Sequence, residues 1–155
     1  YVLLGVILEK ATDMTWYEFI DKHIIIPLNL KHTGVGKTNI PAYSTKTLKP
    51  ITEFDLSAIY TRVSTGCLYS SIKDLDILAK NLHTLPLDIK EFISHAPAFW
   101  DKEKLILEKY GMITGGRSHI KIQYTDSSLK KVKHSCIVLI NGFEEIKDCN
   151  NIPTA

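Results

Sequence analysis

Apolar residues at the start of the chain recur at the spacing of an α-helix. Over residues 1–12 one helical face carries four of them, and Gly5 is small enough for a close contact beside that face. The pattern predicts an amphipathic or fully buried helix. The residues of the face are Tyr1, Leu4, Leu8 and Ala11.

A start signal predicts a second helix. Thr15 followed by Glu18 has the spacing of a capping box, in which each side chain accepts a hydrogen bond from the backbone amide of the other residue. We expect a helix from about Trp16 to Ile25. It should end before Pro27, because proline lacks an amide hydrogen and its ring clashes with the preceding turn. The predicted buried stripe is Trp16, Phe19, Ile20 and Ile24.

The middle of the chain changes from irregular to helical. Residues 34–66 lack periodicity and contain Pro41 and Pro50, so we predict a long loop of the kind that often forms the wall of a site. Residues 67–100 are predicted to be helical. One helix should begin after Ser71, which is followed three positions later by an aspartate, and another is expected from about Leu87 to Ser94.

The last third of the chain has the pattern of β-strands. Apolar and polar residues alternate around position 122, and the apolar run 136–140 is typical of a strand covered on both faces. Residues 104–142 are therefore predicted to form antiparallel strands, followed over 143–155 by a short helix or tail. Expected on one face are Ile120, Ile122 and Tyr124, and on the other Lys121 and Gln123.

Composition limits the classes of function. The chain has 155 residues, 45% of them hydrophobic, and a net charge of +2, so it can form one compact domain but offers no extended basic face for nucleic acid. Its apolar runs are much shorter than the roughly 20 residues that span a membrane. The chain opens on Tyr1, so a leader or anchor of a longer precursor would not be visible in it.

Cysteine and histidine give no sign of a metal or cofactor. The three cysteines, Cys67, Cys136 and Cys149, lack the pairing of a zinc site, and we expect buried free thiols. The six histidines show no metal-binding spacing, so we predict neither a metal nor a cofactor.

Two passages carry a resemblance to a known family. Residues 1–34 contain Tyr-x-x-Leu-Gly at their start and Pro-Leu-x-Leu-x-x-Thr at their end, and residues 64–75 read Ser-Thr-Gly-Cys-Leu-Tyr-Ser-Ser-Ile-Lys-Asp-Leu. Both resemble the serine β-lactamase-related family, which includes class C β-lactamases, penicillin-binding proteins, D-alanyl-D-alanine carboxypeptidases and esterases. The resemblance implies an α+β fold of the β-lactamase/transpeptidase type, of which residues 1–155 would be a single partial domain with helices packed on a C-terminal antiparallel sheet.

Ser70 and Lys73 have the S-x-x-K spacing that places a nucleophile and its base on adjacent helical turns in this family. The spacing also occurs twice in residues 127–131, so a lysine-rich chain produces it readily. A helix cap formed by Ser71 with Asp74 explains the same residues. Since the family's S-x-x-K precedes its Y-x-N motif, the resemblance implies that both motifs lie upstream of Tyr1, and we expect no catalytic residue in this chain.

The residues Ile113, Thr114, Gly115 and Gly116 are the counterpart of the K-T-G or H-T-G triplet in the resembling family. There the basic residue and threonine contact the substrate carboxylate, and a backbone amide just beyond completes the oxyanion hole. Isoleucine cannot supply the positive charge, so Thr114 and Gly116 are the transferable residues. A turn or strand whose glycines serve only the backbone conformation explains the motif equally well.

Three functions follow. The first is the C-terminal part of a serine hydrolase, inactive in isolation, whose complete enzyme would act on a β-lactam, a D-alanyl peptide or a small ester. The resemblance implies that this enzyme lies outside the cytoplasm or at the cell envelope. The second is a catalytically dead homologue that binds or regulates, and the third is an autonomous interaction domain. A partial fold should also self-associate through its exposed sheet edge.

Overall fold

A computed structural model describes residues 1–36, 40–41, 43, 49–51, 64, 67–86, 91, 100–113 and 116–140. Helix α1 spans Val2–Thr12 and ends at Asp13, which has a left-handed conformation. The predicted buried face is wrong for this chain, since Leu4 and Ala11 are exposed and Gly5 is the one buried residue of α1. A Cβ at Gly5 would lie 2.5 Å from Oγ of Ser64, so only glycine fits there.

The second helix starts as predicted. The side chain of Thr15 accepts a hydrogen bond from the Glu18 amide at 3.2 Å, and the carboxylate of Glu18 accepts one from the Thr15 amide at 2.8 Å. The carboxylate of Glu18 also accepts a hydrogen bond from the Thr15 hydroxyl at 2.8 Å. The bonds from the Thr15 amide and hydroxyl hold the pKa of Glu18 below its usual value. The capping box is therefore confirmed.

The expected end of this helix is wrong. Helix α2 (Trp16–Ile20) continues through a π-helical turn (Asp21–Ile25) into the short helix α3 (Ile26–Leu28). Pro27 lies in the first turn of α3, directly after the π-helical turn. The segment ends instead at Asn29, whose backbone is left-handed with φ of 51°.

Two short strands lie where a loop and helices were expected. Strand β1 (Gly34–Val35) pairs antiparallel with β2 (Leu68–Tyr69). Helix α4 (Ile72–Asn81) follows β2 and runs into a 3-10 turn (Leu82–Thr84). The expected helix over 87–94 falls almost entirely outside the described residues, as do most of the predicted loop and the tail over 143–155.

The C-terminal part is a four-stranded antiparallel sheet in the order β3-β4-β5-β6. Its strands are successive along the chain and each pairs with the next, so the sheet is a simple meander. The bounds of the strands are Trp100–Asp101 for β3, Ile106–Ile113 for β4, Gly116–Tyr124 for β5 and Val132–Ile140 for β6.

One face of this sheet packs against α4. Ile122 and Tyr124 of β5 are buried there with Ala79 of α4 and Leu129, as the alternation around position 122 predicts. The Tyr124 hydroxyl donates to the Ala79 carbonyl at 3.4 Å, and burial raises the pKa of Tyr124 to about 12. This core therefore joins α4 to the sheet.

The cysteines differ from the expectation at one position. Cys136 on β6 forms a disulfide, whereas we predicted a free thiol. Cys67 is buried and lies outside any disulfide, as expected, and burial raises the pKa of its thiol. Cys149 lies outside the described residues. Within the described ranges, no helix is long and apolar enough to cross a membrane, and no three histidine, cysteine or carboxylate side chains converge as metal ligands would.

Candidate functional site

Ser70 and Lys73 lie at the start of α4, in surroundings that differ from each other. Oγ of Ser70 is 2.8 Å from Oγ1 of Thr33, and it also donates to the Ser71 carbonyl at 3.3 Å. Lys73 is exposed in the first turn of the helix, whereas a lysine that acts as a base normally has its pKa lowered by burial or by cationic neighbours. No described hydrogen bond joins the two side chains. Their contacts are those of a helix start.

The predicted helix cap is present. Oγ of Ser71 accepts a hydrogen bond from the Asp74 amide at 3.1 Å. Asp74 itself is 2% exposed, and its carboxylate contacts residues that follow α3. There it accepts hydrogen bonds from the His32 amide at 2.6 Å and the Thr33 hydroxyl at 2.8 Å. This polar cluster fixes the start of α4 against the segment that leads into β1.

Ile113 and Gly116 lie at the tip of the β4–β5 hairpin. Ile113 is the last residue of β4, and it pairs directly with Gly116, the first residue of β5. Thr114 and Gly115, between them, lie outside the described residues. Whether these four residues contact a substrate stays a prediction.

Strand β4 presents an edge beside this hairpin. Along one side it pairs with β5 over its whole length, from Ile106 to Ile113. Along the other side its described pairing is with β3, at Ile106 and Leu107 alone. In the part of the chain that the structure describes, no strand therefore pairs with β4 from Glu108 onward. Such an edge can form backbone hydrogen bonds with an extended ligand.

The sheet face opposite the core carries a polar cluster that the sequence did not reveal. His119 is 1% exposed, its Nε2 lies 2.8 Å from Oε1 of Glu108, and its ring stacks on Tyr110 with centroids 3.8 Å apart. Glu108 also accepts a hydrogen bond from the Tyr110 hydroxyl at 3.0 Å and lies 3.5 Å from Nζ of Lys121. Nδ1 of His119 is buried and has no hydrogen-bond partner among the residues that the structure describes.

The charge of Glu108 is stabilised by these neighbours. Partial burial raises its pKa, but the hydrogen bonds from His119 and Tyr110 and the charge of Lys121 lower it by more, so the pKa lies below its usual value. Both partners on β5 face β4 directly in the register, Tyr110 opposite His119 and Glu108 opposite Lys121. The cluster therefore braces the hairpin. Within it His119 is enclosed, whereas Tyr110 is exposed.

Comparison with known proteins identifies the fold. No family model and no curated protein matches the sequence. Among solved structures the chain is similar to a D-stereospecific amidohydrolase from Streptomyces sp., with 18% identity and a TM-score of 0.61. The likeness covers 90% of this chain and 48% of that one, so the chain spans about half the length of the solved neighbour. The expected α+β fold, with helices on an antiparallel sheet as in β-lactamase-like proteins, is confirmed.

Proposed function

We propose that this chain is the C-terminal, sheet-bearing part of a serine hydrolase that cleaves amide or ester bonds, and that it is inactive by itself. The observation that carries the proposal is the extent of the structural likeness. The likeness to the D-stereospecific amidohydrolase includes both the helices and the sheet, since it covers 90% of this chain and 48% of that one. The ordered family motifs in residues 1–34 and 64–75 support the same assignment.

The chemistry of such an enzyme needs groups that we place outside this chain. A serine oxygen attacks the carbonyl carbon while a lysine takes the hydroxyl proton, and the bond to the leaving amine or alcohol breaks as that group receives a proton. Water then hydrolyses the acyl-serine. The contacts of Ser70 and the exposure of Lys73 support their exclusion from these roles.

The role proposed for this chain is to bind and orient the substrate. Two backbone amides stabilise the oxyanion that forms in acyl transfer, and one of them would come from the Ile113–Gly116 hairpin. The edge of β4 beside it, which no described strand pairs from Glu108 onward, suits a substrate with an extended backbone. By family resemblance the ligands would be β-lactams, D-alanyl peptides or small esters.

A second candidate function rests on Ile113. The family has a basic residue at this position, and an isoleucine cannot bind a substrate carboxylate by charge. A homologue that has lost its chemistry and acts as a binding or regulatory protein would tolerate this change. The disulfide at Cys136 supports a location outside the reducing cytoplasm for either function, since such bonds persist in oxidising compartments.

The assay that separates these functions compares two polypeptides. The 155-residue chain and the polypeptide encoded by the complete gene are each tested with a chromogenic β-lactam, a D-alanyl p-nitroanilide and a p-nitrophenyl ester. Turnover by the complete polypeptide alone is the expected result. Binding of a β-lactam without turnover would favour the dead homologue, and turnover by the 155-residue chain would overturn the proposal.

A further inference from the structure

Helix α1 has an apolar surface that the described residues leave exposed. The exposed fractions are 70% for Leu3, 61% for Leu4 and 53% for Ile7, and Val2 and Val6 are also exposed. Residues 1–8 contain no charged side chain. Helices that are apolar around most of their circumference are normally buried, and exposed patches of this kind mark interaction sites.

This surface is held in a defined position. Ser64 fills the space beside Gly5, and its hydroxyl donates to the Tyr1 carbonyl at 3.0 Å. Further along α1, the carboxylate of Glu9 accepts a hydrogen bond from the Trp16 amide at 2.8 Å, which ties α1 to α2. Since both ends of α1 contact other elements, the apolar face is presented by a fixed helix.

The surface also adjoins the strand that carries the hairpin. Nζ of Lys109 on β4 lies 3.4 Å from the Tyr1 hydroxyl and 5.4 Å from the centre of the Tyr1 ring. A polypeptide that covers α1 would therefore lie beside β4 and could bring side chains to its open edge. In the solved neighbour, about half of the chain has no counterpart in these 155 residues.

We infer that the α1 face, formed by Val2, Leu3, Leu4, Val6 and Ile7, is the docking surface for the polypeptide that completes the fold and places the acylating residues beside β4. The inference rests on the proposed function. The occupant must present an apolar, uncharged surface, because residues 1–8 offer no partner for a charge. A second copy of this chain would cover the same face but would bring no acylating residues to β4.

The test uses the protein expressed from its complete gene in the host that encodes it. A benzophenone amino acid replaces Leu4 on the proposed surface or, as a control, Lys104 in the exposed β3–β4 turn, and cross-linked peptides are identified by mass spectrometry after irradiation. We expect position 4 to cross-link to a peptide that is not part of residues 1–155. Cross-links to residues 1–155 of a second copy, or a yield no higher than at position 104, would overturn the inference.

A substitution gives a second readout. Leu4→Lys should lower the unfolding midpoint of the complete protein by several degrees, because the new lysine places a charge in the buried interface. Lys104→Leu is the matched control. An unchanged midpoint would contradict the docking surface. Turnover is measured separately. A complete protein that cross-links through position 4 but has no hydrolase activity would keep the docking surface and refute the enzyme.

Discussion

The carboxylate of Asp74 accepts a hydrogen bond from the hydroxyl of Thr33 at 2.8 Å, across 41 positions of sequence. It accepts a second from the His32 amide at 2.6 Å. We expect Asp74→Ala to lower the free energy of unfolding by about 1–3 kcal/mol, because both donors lose their acceptor in a partly buried place. Urea unfolding followed by circular dichroism measures the change.

The matched control for Asp74 is Asp76 on the same helix. Its salt bridge to Lys80 is exposed, so Asp76→Ala should change the free energy of unfolding by no more than about 0.5 kcal/mol. Equal effects of the two substitutions would show that the contacts of Asp74 with the segment before β1 contribute nothing specific.

Gly5 and Ser64 should show strong coupling in a double-mutant cycle. A Cβ at position 5 would lie 2.6 Å from Cβ of Ser64, so Gly5→Ala forces the two segments apart and should cost about 1–3 kcal/mol. In a Ser64→Gly background the obstacle is absent, and the better helix propensity of alanine should make the same substitution neutral or stabilising. Thermal unfolding of the four proteins tests this, and additive effects would disprove the contact.

The pH dependence of stability should report the charge of Glu108. Because its pKa in the folded protein lies below the ordinary value of 4.5, the charge stabilises the fold above that pH, and this stabilisation is lost as the pH falls through the lowered pKa. Glu108→Gln should therefore destabilise the protein at pH 7 and give a shallower loss of stability in acid. Unfolding is measured from pH 7 to 3, with Glu103→Gln in an exposed turn as the control. Parallel curves for wild type and Glu108→Gln would contradict the account.

Tyr124 should stabilise the core mainly through its ring. Its side chain is 2% exposed between β5 and α4, so Tyr124→Ala should cost about 3–5 kcal/mol by analogy with other buried aromatic residues. Tyr124→Phe loses only the long hydrogen bond to Ala79 and should cost about 1 kcal/mol. Chemical denaturation distinguishes the two. A larger loss for phenylalanine than for alanine would mean that the hydroxyl has a role beyond this bond.

Features that depend on neighbouring residues could be predicted from the sequence. The capping box of Thr15 and Glu18 and the cap of α4 at Ser71 each join residues three positions apart, so their spacing is enough to define them. The face of β5 with Ile122 and Tyr124 follows from alternation alone.

Features that depend on residues far apart in the chain could not be predicted from the sequence. The pairing of β1 with β2 joins two segments that are far apart in the sequence. The burial of His119 depends on the register between β4 and β5, which the alternation of polar and apolar residues does not reveal. The disulfide of Cys136 requires a partner in space that spacing cannot identify. Whether Leu4 is exposed depends on what packs against α1. An apolar helical face has the same sequence whether or not its partner is present.

The candidate site was predictable only as far as the resemblance extended. The motif Ile113–Gly116 was located by its glycines, and the structure places its ends at the tip of the β4–β5 hairpin. The contacts that occupy Ser70 come from Thr33, 37 positions away, and no local pattern shows them.

The most direct test of the central claim is intact-mass spectrometry after incubation with a β-lactam and, separately, with a serine-directed fluorophosphonate. We expect the 155-residue chain to stay unmodified, and the polypeptide from the complete gene to gain one adduct on a serine outside residues 1–155. A stoichiometric adduct on Ser70 of the 155-residue chain would contradict the claim, because the chain would then carry its own nucleophile.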